Sequence, residues 1–215
     1  MEVAKYFNIH ARRLVDGDLG IEIEVEGKYL PQRVDGWNTD YDGSLVGESY
    51  EYVLEKPMSL VDTMGAIDNV SAAYARKGSQ VQDSVRCGVH VHVNAQRLSI
   101  PQLYNFMTLY SMFEEVLLAA CGPHRDGNLF CLPLNKSPLL IHALRHAAET
   151  KAFRHLHTDE YRYCAMNVKA LGQYGSLEFR ALRGGKDLER IKHWATLLLH
   201  LREVACKYDN PVEVV

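Results

Sequence analysis

The sequence predicts an α+β fold built on an antiparallel sheet. Three segments, residues 20–26, 87–94 and 176–180, alternate apolar side chains with side chains of metal-binding type. The predicted elements follow the order strand, strand, helix, strand, helix, helix, strand, strand, helix. This order has no regular β-α-β rhythm, and no strand is followed by a glycine-rich loop, so it argues against a doubly wound parallel sheet.

The first predicted strand spans residues 20–26 and follows a segment that we expect to be loosely structured. Within residues 1–18, Leu14 and Val15 are the only predicted apolar anchor. Successive side chains of a strand point to opposite faces, so the two isoleucines and the valine of the strand face a core. The other face then carries three glutamates: Glu22, Glu24 and Glu26.

A second strand and a helix follow a turn-rich region. Residues 34–49 contain two Asp-Gly pairs, which mark turns, and the strand covers residues 50–55 before Pro57. A helix is predicted from about residue 59 to residue 77, with Gly78 as its C-terminal stop. Its apolar residues recur at helical spacing: Leu60, Met64, Ile67, Val70 and Tyr74.

The histidine-bearing strand is predicted at about residues 84–94. The next helix starts at a capping box over residues 99–102 and ends at residues 122–123. A long loop over residues 123–136 leads to a shorter helix that starts at residues 137–138, because proline is favoured at the first helical position. The stripe of the longer helix consists of Leu103, Phe106, Leu109, Phe113 and Leu117.

Two strands and a helix complete the predicted fold. Strands near residues 162–169 and 175–182 are predicted to form a hairpin across residues 172–175. A last helix starts at Asp187, and its mostly apolar stripe is typical of core packing. The stripe consists of Leu188, Ile191, Ala195, Leu198, Arg202 and Ala205.

Size and composition predict one globular domain and exclude several classes of function. With 215 residues the chain can bury its own core, so we expect a single domain with residues 1–18 and 209–215 peripheral. A net charge of −3 gives no basic surface for nucleic acid. We expect no signal peptide, and no stretch approaches the roughly 20 apolar residues of a membrane span. Five scattered cysteines without a Cys-x-x-Cys pair favour a reducing cytoplasm over a disulfide framework or zinc knuckle.

If the three alternating strands are neighbours in one sheet, their polar positions share a single surface. An antiparallel sheet often leaves one face in water, so alternation alone carries little weight. A solvated face has no need, however, of two histidines and an asparagine on one strand. The shared positions are Glu22, Glu24, Glu26, His90, His92, Asn94, Glu178 and Arg180.

These side chains indicate a site for divalent cations and phosphate. Carboxylate oxygens select hard cations such as Mg²⁺ or Mn²⁺, and the glutamates with acids from residues 40–55 suffice for two or three ions. One imidazole among oxygen ligands fits these ions, whereas two histidines and a glutamate fit Zn²⁺, and both possibilities stay open. Arg180 suits phosphate or carboxylate, because a guanidinium binds either in a bidentate manner. The acids of that segment include Asp42, Glu48, Glu51 and Glu55.

Four motifs follow one another between about residues 18 and 185. They are Gly20-Ile21-Glu22-Ile23-Glu24; Asp42-Gly43-Ser44-Leu45 with a glutamate-rich strand and Pro57; Gly88-Val89-His90-Val91-His92-Val93-Asn94; and Gly175-Ser176-Leu177-Glu178-Phe179-Arg180. In this order they resemble the carboxylate–amine ligases of the glutamine synthetase and glutamate–cysteine ligase superfamily. The closest resemblance is to its small amidoligase proteins of bacteria, fungi and phages.

The resemblance implies a fold and a reaction. The fold is a curved antiparallel sheet whose concave face holds ATP and two or three Mg²⁺ or Mn²⁺ ions, with helices on the other face. In the reaction, a substrate carboxylate attacks the γ-phosphate of ATP to give an acyl phosphate, and an amine then displaces phosphate to form an amide. The chain is shorter than the large synthetases, so the acid, the amine and the oligomeric state do not carry over. The substrates left open are a free amino acid, a peptide, a polyamine, a cell-wall fragment and a modified macromolecule.

The resemblance also implies roles for single residues. Glu22, His90 and Glu178 would bind a metal beside the ATP phosphates. Glu24 would bind a second metal, on the side of the acid substrate, with acids of the 42–55 segment, of which Glu51 and Glu55 are favoured over Asp42. Arg180 would stabilise the transferring phosphoryl group, and Glu178 and Glu24 would complete the catalytic set. The remaining candidates are His92 and Asn94 near the nucleotide, Arg125 and Arg162 as weaker phosphate or carboxylate ligands, and Asn167, which either reaches this face or anchors a loop.

Two other functions stay open at this stage. A Zn²⁺ or Mn²⁺ hydrolase would use His90, His92 and Glu178 around an activated water. A non-catalytic module that binds a nucleotide or a metal would keep the sheet without turnover. A degenerate copy of this kind is expected to have lost part of the site, yet the complete set is present: Glu22, Glu24, His90, Glu178 and Arg180.

Overall fold

A computed structural model describes residues 1–122, 124–158 and 161–208. The helices are α1 (Val3–Tyr6), α2 (Leu60–Lys77), α3 (Ile100–Ala120), α4 (Pro138–Thr150), α5 (Ala170–Tyr174) and α6 (Leu188–Ala205). The strands are β1 (Leu19–Lys28), β2 (Trp37–Asp40), β3 (Glu48–Leu54), β4 (Gln80–Val81), β5 (Gly88–Asn94), β6 (Met166–Asn167) and β7 (Ser176–Arg183). The segment 209–215, predicted to be peripheral, lies outside the described residues, as does Pro123 of the predicted loop.

The strands form an open antiparallel sheet in the order β2-β3-β1-β5-β7-β6, and β4 pairs with the end of β1. This confirms the predicted α+β class. Strand β1 lies between β3 and β5, and β5 lies between β1 and β7. The three strands that were predicted to share a polar surface are therefore direct neighbours.

The apolar face of this sheet packs against helices. On β7, the ring of Phe179 lies 4.7 Å from the ring of Tyr110 and 5.5 Å from that of Phe106, both on α3. Helix α6 contacts β5 and α3. The side chains that β1 and β5 contribute to this core are fully buried: Ile21, Ile23, Val25, Val89, Val91 and Val93. The opposite face of the sheet is called the polar face below.

Helix boundaries follow the predicted capping signals. The Ser59 hydroxyl caps the start of α2, which ends at Gly78 with a φ of 65°, a left-handed conformation that glycine adopts without strain. Ser99 and Gln102 form the reciprocal bonds of a capping box at α3. Asp187 caps α6, and α4 begins at its proline as predicted.

The region between β1 and β3 contains more structure than its turn signals predict. Residues 37–40, expected to lie in turns, form β2 and pair with β3. The cause is Trp37, which is buried and donates its indole N–H to the Ala66 carbonyl at 2.8 Å, so that it ties the strand to α2. The histidine-bearing strand starts later than predicted, at Gly88.

The predicted hairpin near the C-terminus is also different in the structure. Only residues 166–167 form β6, and helix α5 replaces a tight turn between β6 and β7. Gly175 has a φ of 68° and ends this helix. Of the two glycines that suggested a hairpin turn, Gly172 therefore lies within α5 and Gly175 ends it, although β6 and β7 do pair in antiparallel fashion.

Two predictions about buried apolar side chains are wrong. Leu14 is exposed, and the N-terminal segment is anchored instead by Val3 and Phe7, since Val3 also donates its N–H to the Leu98 carbonyl at 2.8 Å. On α3, Phe113 is 47% exposed although it continues the predicted stripe. The buried positions on that side of the helix are taken by Tyr110 and Glu114 instead.

Candidate active site

Strand register brings the candidate side chains into three adjacent rows on the polar face. In the first row Glu24 lies opposite Glu51. In the second row Glu22 lies opposite His90. In the third row His92 lies opposite Glu178, which in turn lies opposite Asn167.

The imidazole of His90 occupies the centre of this arrangement. Its Nδ1 lies 2.9 Å from Glu22 Oε2 and 3.8 Å from Glu178 Oε1. Its Nε2 lies 3.6 Å from Glu24 Oε1. One buried imidazole thus contacts three carboxylates, each of which comes from a neighbouring strand.

His92 makes a second set of contacts in the third row. Its Nε2 lies 3.5 Å from Glu22 Oε1 and 3.9 Å from Glu178 Oε2. Its Nδ1 lies 3.1 Å from the Ser176 hydroxyl, and its ring packs edge-on against Tyr174. Ser176 lies in the fourth motif, but sequence reasoning gave it no role in the site, because the contact of its hydroxyl with His92 depends on how β5 pairs with β7.

The charges of the histidines, the carboxylates and Arg180 shift one another's pKa values. Burial raises the pKa of Glu22, but hydrogen bonds and charge from His90 and His92 outweigh it, so the pKa lies well below its usual range. Burial also opposes ionisation of Glu178, yet His92 and Arg180 lower its pKa. Burial disfavours a charged His92, and the carboxylates of Glu178 and Glu22 nevertheless raise its pKa.

The carboxylates of the first row show the opposite behaviour. Burial raises the pKa of Glu24, and the attraction of His90 and a 2.6 Å hydrogen bond from the Gly88 N–H only partly offset this. The pKa of Glu51 rises to about 7, through burial and then through repulsion from Glu22 and other nearby acids. These carboxylates are crowded together without enough positive charge to balance them.

Arg180 and Asn167 both hold the Glu178 carboxylate. Arg180 Nη1 pairs with Glu178 Oε1, and Arg180 Nε donates to the Phe130 carbonyl at 3.2 Å. Asn167 Nδ2 donates to Glu178 Oε2 at 2.6 Å, while its Oδ1 accepts from the Lys169 N–H. Asn167 therefore reaches the polar face and also anchors a loop.

Arg125 holds the backbone of β7 through hydrogen bonds from its guanidinium group. The pairing of β5 with β7 shifts between Val89 and Val91, so that β7 has an extra residue opposite His90. Arg125 is buried, and it donates Nε to the Ala181 carbonyl at 2.7 Å and Nη2 to the Arg180 carbonyl at 2.6 Å. These bonds fix the irregular stretch of β7 that carries Arg180.

The other candidates divide into two groups. Asp42 joins Glu24 and Glu51 in a cluster whose ligand atoms lie within 4.8 Å of one another. Glu55 lies beyond the end of β3 beside a separate cavity, and no metal-type cluster among the described residues includes it. The predicted candidates that serve other contacts are Glu48, which accepts from the Tyr29 and Leu30 N–H groups; Asn94, which donates to the Val15 and Gly17 carbonyls; and Arg162, which lies over the Tyr163 ring.

Comparison with known protein families identifies the chain. Residues 38–202 match the family model described as "Putative amidoligase enzyme". The chain belongs to this amidoligase family. The matched range contains His90, Glu178 and Arg180, whereas Glu22 and Glu24 precede it. No curated protein shows significant similarity to the chain.

This member of the family has the donors that a hard divalent cation requires. The polar face contains three clusters of possible ligands, and within each cluster the ligand atoms lie within 4.8 Å of one another. The clusters are Glu22 with Glu51 and His90, Glu22 with His92 and Glu178, and Glu24 with Asp42 and Glu51. Each cluster has two or three carboxylates and at most one imidazole, a composition that suits Mg²⁺ or Mn²⁺. The raised pKa of Glu51 supports this fit, because a cation would relieve the repulsion among the carboxylates.

A cavity of about 270 Å³ adjoins the cluster in this amidoligase. It lies over Gly20, where a Cβ atom would meet only the Cβ of His92, at 3.5 Å. Glu22 and His92 line the side of the cavity that faces the cluster. The rest of the wall is largely apolar and includes Val15, Val53, Pro57 and Tyr174.

Among the residues that the structure describes, no helix is both long enough and apolar enough to cross a membrane.

Proposed function

We propose that this amidoligase is an ATP-dependent, ADP-forming carboxylate–amine ligase that makes an amide or isopeptide bond through an acyl phosphate. The family supports an amide-forming reaction. The observation that carries the rest is the polar face, where the buried Glu24 and Glu178 and the half-buried Glu22 surround His90, with Arg180 paired to Glu178. A cluster of carboxylates with one guanidinium is the equipment that charged phosphoryl groups and their metal ions require.

The chemistry follows from the poor reactivity of a carboxylate. Its oxygen attacks the γ-phosphorus of ATP, the bond from that phosphorus to the β,γ-bridging oxygen breaks, and ADP leaves. The acyl phosphate now has a leaving group. The neutral amine attacks the acyl carbon, the bond from carbon to the phosphate oxygen breaks, and the amine nitrogen gives its proton to the departing phosphate.

The residues divide this work between the two ends of the polar face. In the proposal, Glu22, His90 and Glu178 would hold one Mg²⁺ or Mn²⁺ ion, and Glu24 and Glu51 with Asp42 would hold another. When bound, the ions neutralise phosphate charge and orient the triphosphate. Arg180 donates to the transferring phosphoryl group and balances the charge that develops there. Asn167 keeps Glu178 in position, and Ser176 does the same for His92.

The cavity over Gly20 accommodates the nucleoside in this proposal. Its apolar walls match the faces of a purine, and His92 and Asn94 line it next to the cluster. A nucleoside in this cavity would direct its phosphates toward Glu22 and His90. The acid and the amine then approach from the remaining open sides of the face.

The geometry gives less support to the alternative functions. A zinc hydrolase would need His90, His92 and a glutamate to surround one ion. Both histidines contact Glu22 and Glu178, yet each cluster of possible metal ligands among the described residues contains at most one histidine. A module without turnover would not need a complete set of charged groups. The five cysteines are free, which supports action in a reducing compartment such as the cytoplasm of a bacterium or of a phage-infected cell.

Release of ADP and phosphate from ATP with Mg²⁺ tests the proposal, measured against a panel of amino acids, peptides and polyamines. We expect ADP release that depends on both an acid and an amine, and that EDTA or Glu24→Gln abolishes. Glu115→Gln, on the exposed surface of α3, is the matched control and should retain activity. A protein that fails to bind ATP with either Mg²⁺ or Mn²⁺ would contradict the proposal.

A further inference from the structure

Glu26 is the third glutamate that β1 places on the polar face, and the proposed function leaves it without a role. It lies one row beyond Glu24, because its partner on β3 is Ser49 whereas that of Glu24 is Glu51. Glu26 is 4% exposed, and the clusters of possible metal ligands among the described residues do not include it. A buried carboxylate is costly unless it accepts hydrogen bonds. The hydrogen bond that Glu26 accepts therefore indicates what the residue does.

This hydrogen bond comes from the segment that connects β2 to β3. The connecting segment, residues 41–47, contributes the N–H of Val46, whose nitrogen lies 2.9 Å from Glu26 Oε1. A bond from a backbone N–H to a carboxylate is stronger than one between neutral groups. The side chain of Val46 is 53% exposed, so its own packing holds the segment only weakly. The carboxylate of Glu26 thus ties the connecting segment to β1.

A turn within the connecting segment links this bond to Asp42. The Leu45 N–H donates to the Asp42 carbonyl, with 3.2 Å between nitrogen and oxygen. The Ser44 N–H donates to Asp42 Oδ1 at 2.7 Å, which is the pattern of an Asx turn. Leu45 is buried next to the exposed Val46. A displacement of the Val46 backbone therefore displaces Asp42 as well.

Asp42 needs such a support because it does not lie on a strand. Strand β2 ends at Asp40, whereas Glu24 and Glu51 lie on paired strands whose backbone bonds hold them. A ligand atom of Asp42 nevertheless lies within 4.8 Å of theirs. A ligand on a connecting segment contributes to binding only in the fraction of molecules in which the segment is in place.

We propose that Glu26 is a positioning residue, which fixes the connecting segment through the Val46 N–H so that Asp42 reaches the metal cluster of Glu24 and Glu51. The inference rests on the proposed function, which assigns a Mg²⁺ or Mn²⁺ ion to that cluster. Glu26 does not itself bind the ion, because its Oε1 accepts the backbone N–H and its row is the next one along the sheet.

Calorimetric titration with Mn²⁺ tests the inference through two variants that both remove the charge of Glu26. Glu26→Gln keeps an oxygen that accepts the Val46 N–H, whereas Glu26→Leu has a side chain of similar size without an acceptor. The affinity compared is that of the Mn²⁺ binding step that Asp42→Ala weakens. We expect Glu26→Leu to bind at least about fivefold more weakly than Glu26→Gln, which is the scale of one hydrogen bond between neutral groups. Addition of Asp42→Ala to both variants should abolish the difference, because the connecting segment then supplies no ligand.

Val46 offers a second pair of variants, which alter the donor at an exposed position and keep Glu26. Val46→Pro removes the N–H, and Val46→Ala keeps it. Val46→Pro should weaken the same Mn²⁺ binding step at least about fivefold relative to Val46→Ala. Equal affinities of these two variants would overturn the inference even if Glu26→Leu does not fold.

The remaining outcomes separate a failure of this inference from a failure of the proposed function. Equal Mn²⁺ affinities of Glu26→Gln and Glu26→Leu would overturn the inference, and so would a difference that persists in the Asp42→Ala background. ADP release that depends on an acid and an amine would leave the ligase proposal intact in either case. The expected difference in a protein that releases no ADP would refute the ligase proposal and support the role of Glu26 in metal binding.

Discussion

Glu114 is predicted to make the stability of the protein depend on pH in a way that one substitution removes. The residue is buried on α3, and its Oε2 accepts the Leu134 N–H at 2.5 Å. Burial raises the pKa of Glu114 from 4.5 to about 7, against the opposing effect of that hydrogen bond. The folded state therefore holds its proton more tightly than the unfolded state does.

The sign and size of the effect follow from proton linkage. A group whose pKa is raised on folding contributes stability that is complete below its unfolded value of 4.5 and disappears as the pH rises through about 7. Over the interval from pH 5 to pH 8, this contribution falls by about 2.5 kcal/mol. Glutamine in place of Glu114 keeps an oxygen acceptor for the Leu134 N–H and does not titrate. The free energy of unfolding of the variant therefore does not fall in this way between pH 5 and pH 8.

Urea unfolding of wild type and Glu114→Gln at pH 5 and pH 8 measures the effect. The stability of the variant relative to wild type should increase by about 2.5 kcal/mol between the two pH values. Glu115→Gln, the exposed neighbour on the same helix, should show no such change. A Glu114→Gln difference that stays constant within about 0.5 kcal/mol would refute the reasoning, since surface changes alone produce effects of that size.

Three further predictions concern the core and the site. Leu103→Ala should lower the free energy of unfolding by about 2–5 kcal/mol because Leu103 is fully buried, whereas Phe113→Ala, at an exposed position, should cost less than about 1 kcal/mol; equal losses in urea titrations would contradict the packing of α3. Gly20→Leu should fill the cavity and weaken ATP binding at least about tenfold while Mn²⁺ binding is retained, as calorimetry can measure; unchanged ATP affinity would place the nucleoside elsewhere. The affinity for Mn²⁺ should rise between pH 5 and pH 7 and then level off, because the metal displaces the proton that Glu51 holds with a pKa of about 7. Glu51→Gln should flatten that rise. A pH profile of Mn²⁺ affinity that Glu51→Gln leaves unchanged would exclude Glu51 as a ligand.

The alternation of side chains was sufficient to predict which residues share the polar face. A period of two places Glu22 and Glu24 on one face of β1 and His90 and His92 on one face of β5, whatever the strands pair with. The starts of α2, α3, α4 and α6 were predictable from local signals such as the capping box of Ser99 with Gln102, which acts within four residues, whereas α1 and α5 were not predicted.

Contacts between distant segments were not predictable from these local signals. The row that joins Glu24 to Glu51 depends on the register of β1 and β3, and the bulge opposite His90 depends on how β7 pairs with β5. Arg125 holds that bulge from a loop more than 50 residues away in sequence. Glu55 has the same two-residue spacing as Glu51, which predicted that both side chains lie on the polar face. The strand ends at Leu54, however, so the alternation of side chains no longer determines where Glu55 lies.

Transfer of an oxygen isotope tests the acyl phosphate, the central claim, most directly. The acid that supports ADP release would be labelled with ¹⁸O in its carboxylate, and the released phosphate examined by mass spectrometry. We predict one ¹⁸O atom in each phosphate, because the carboxylate oxygen that attacks the γ-phosphorus stays with it when the amine displaces phosphate. Unlabelled phosphate would show that water, and not the carboxylate, attacks ATP, and would contradict the proposed mechanism.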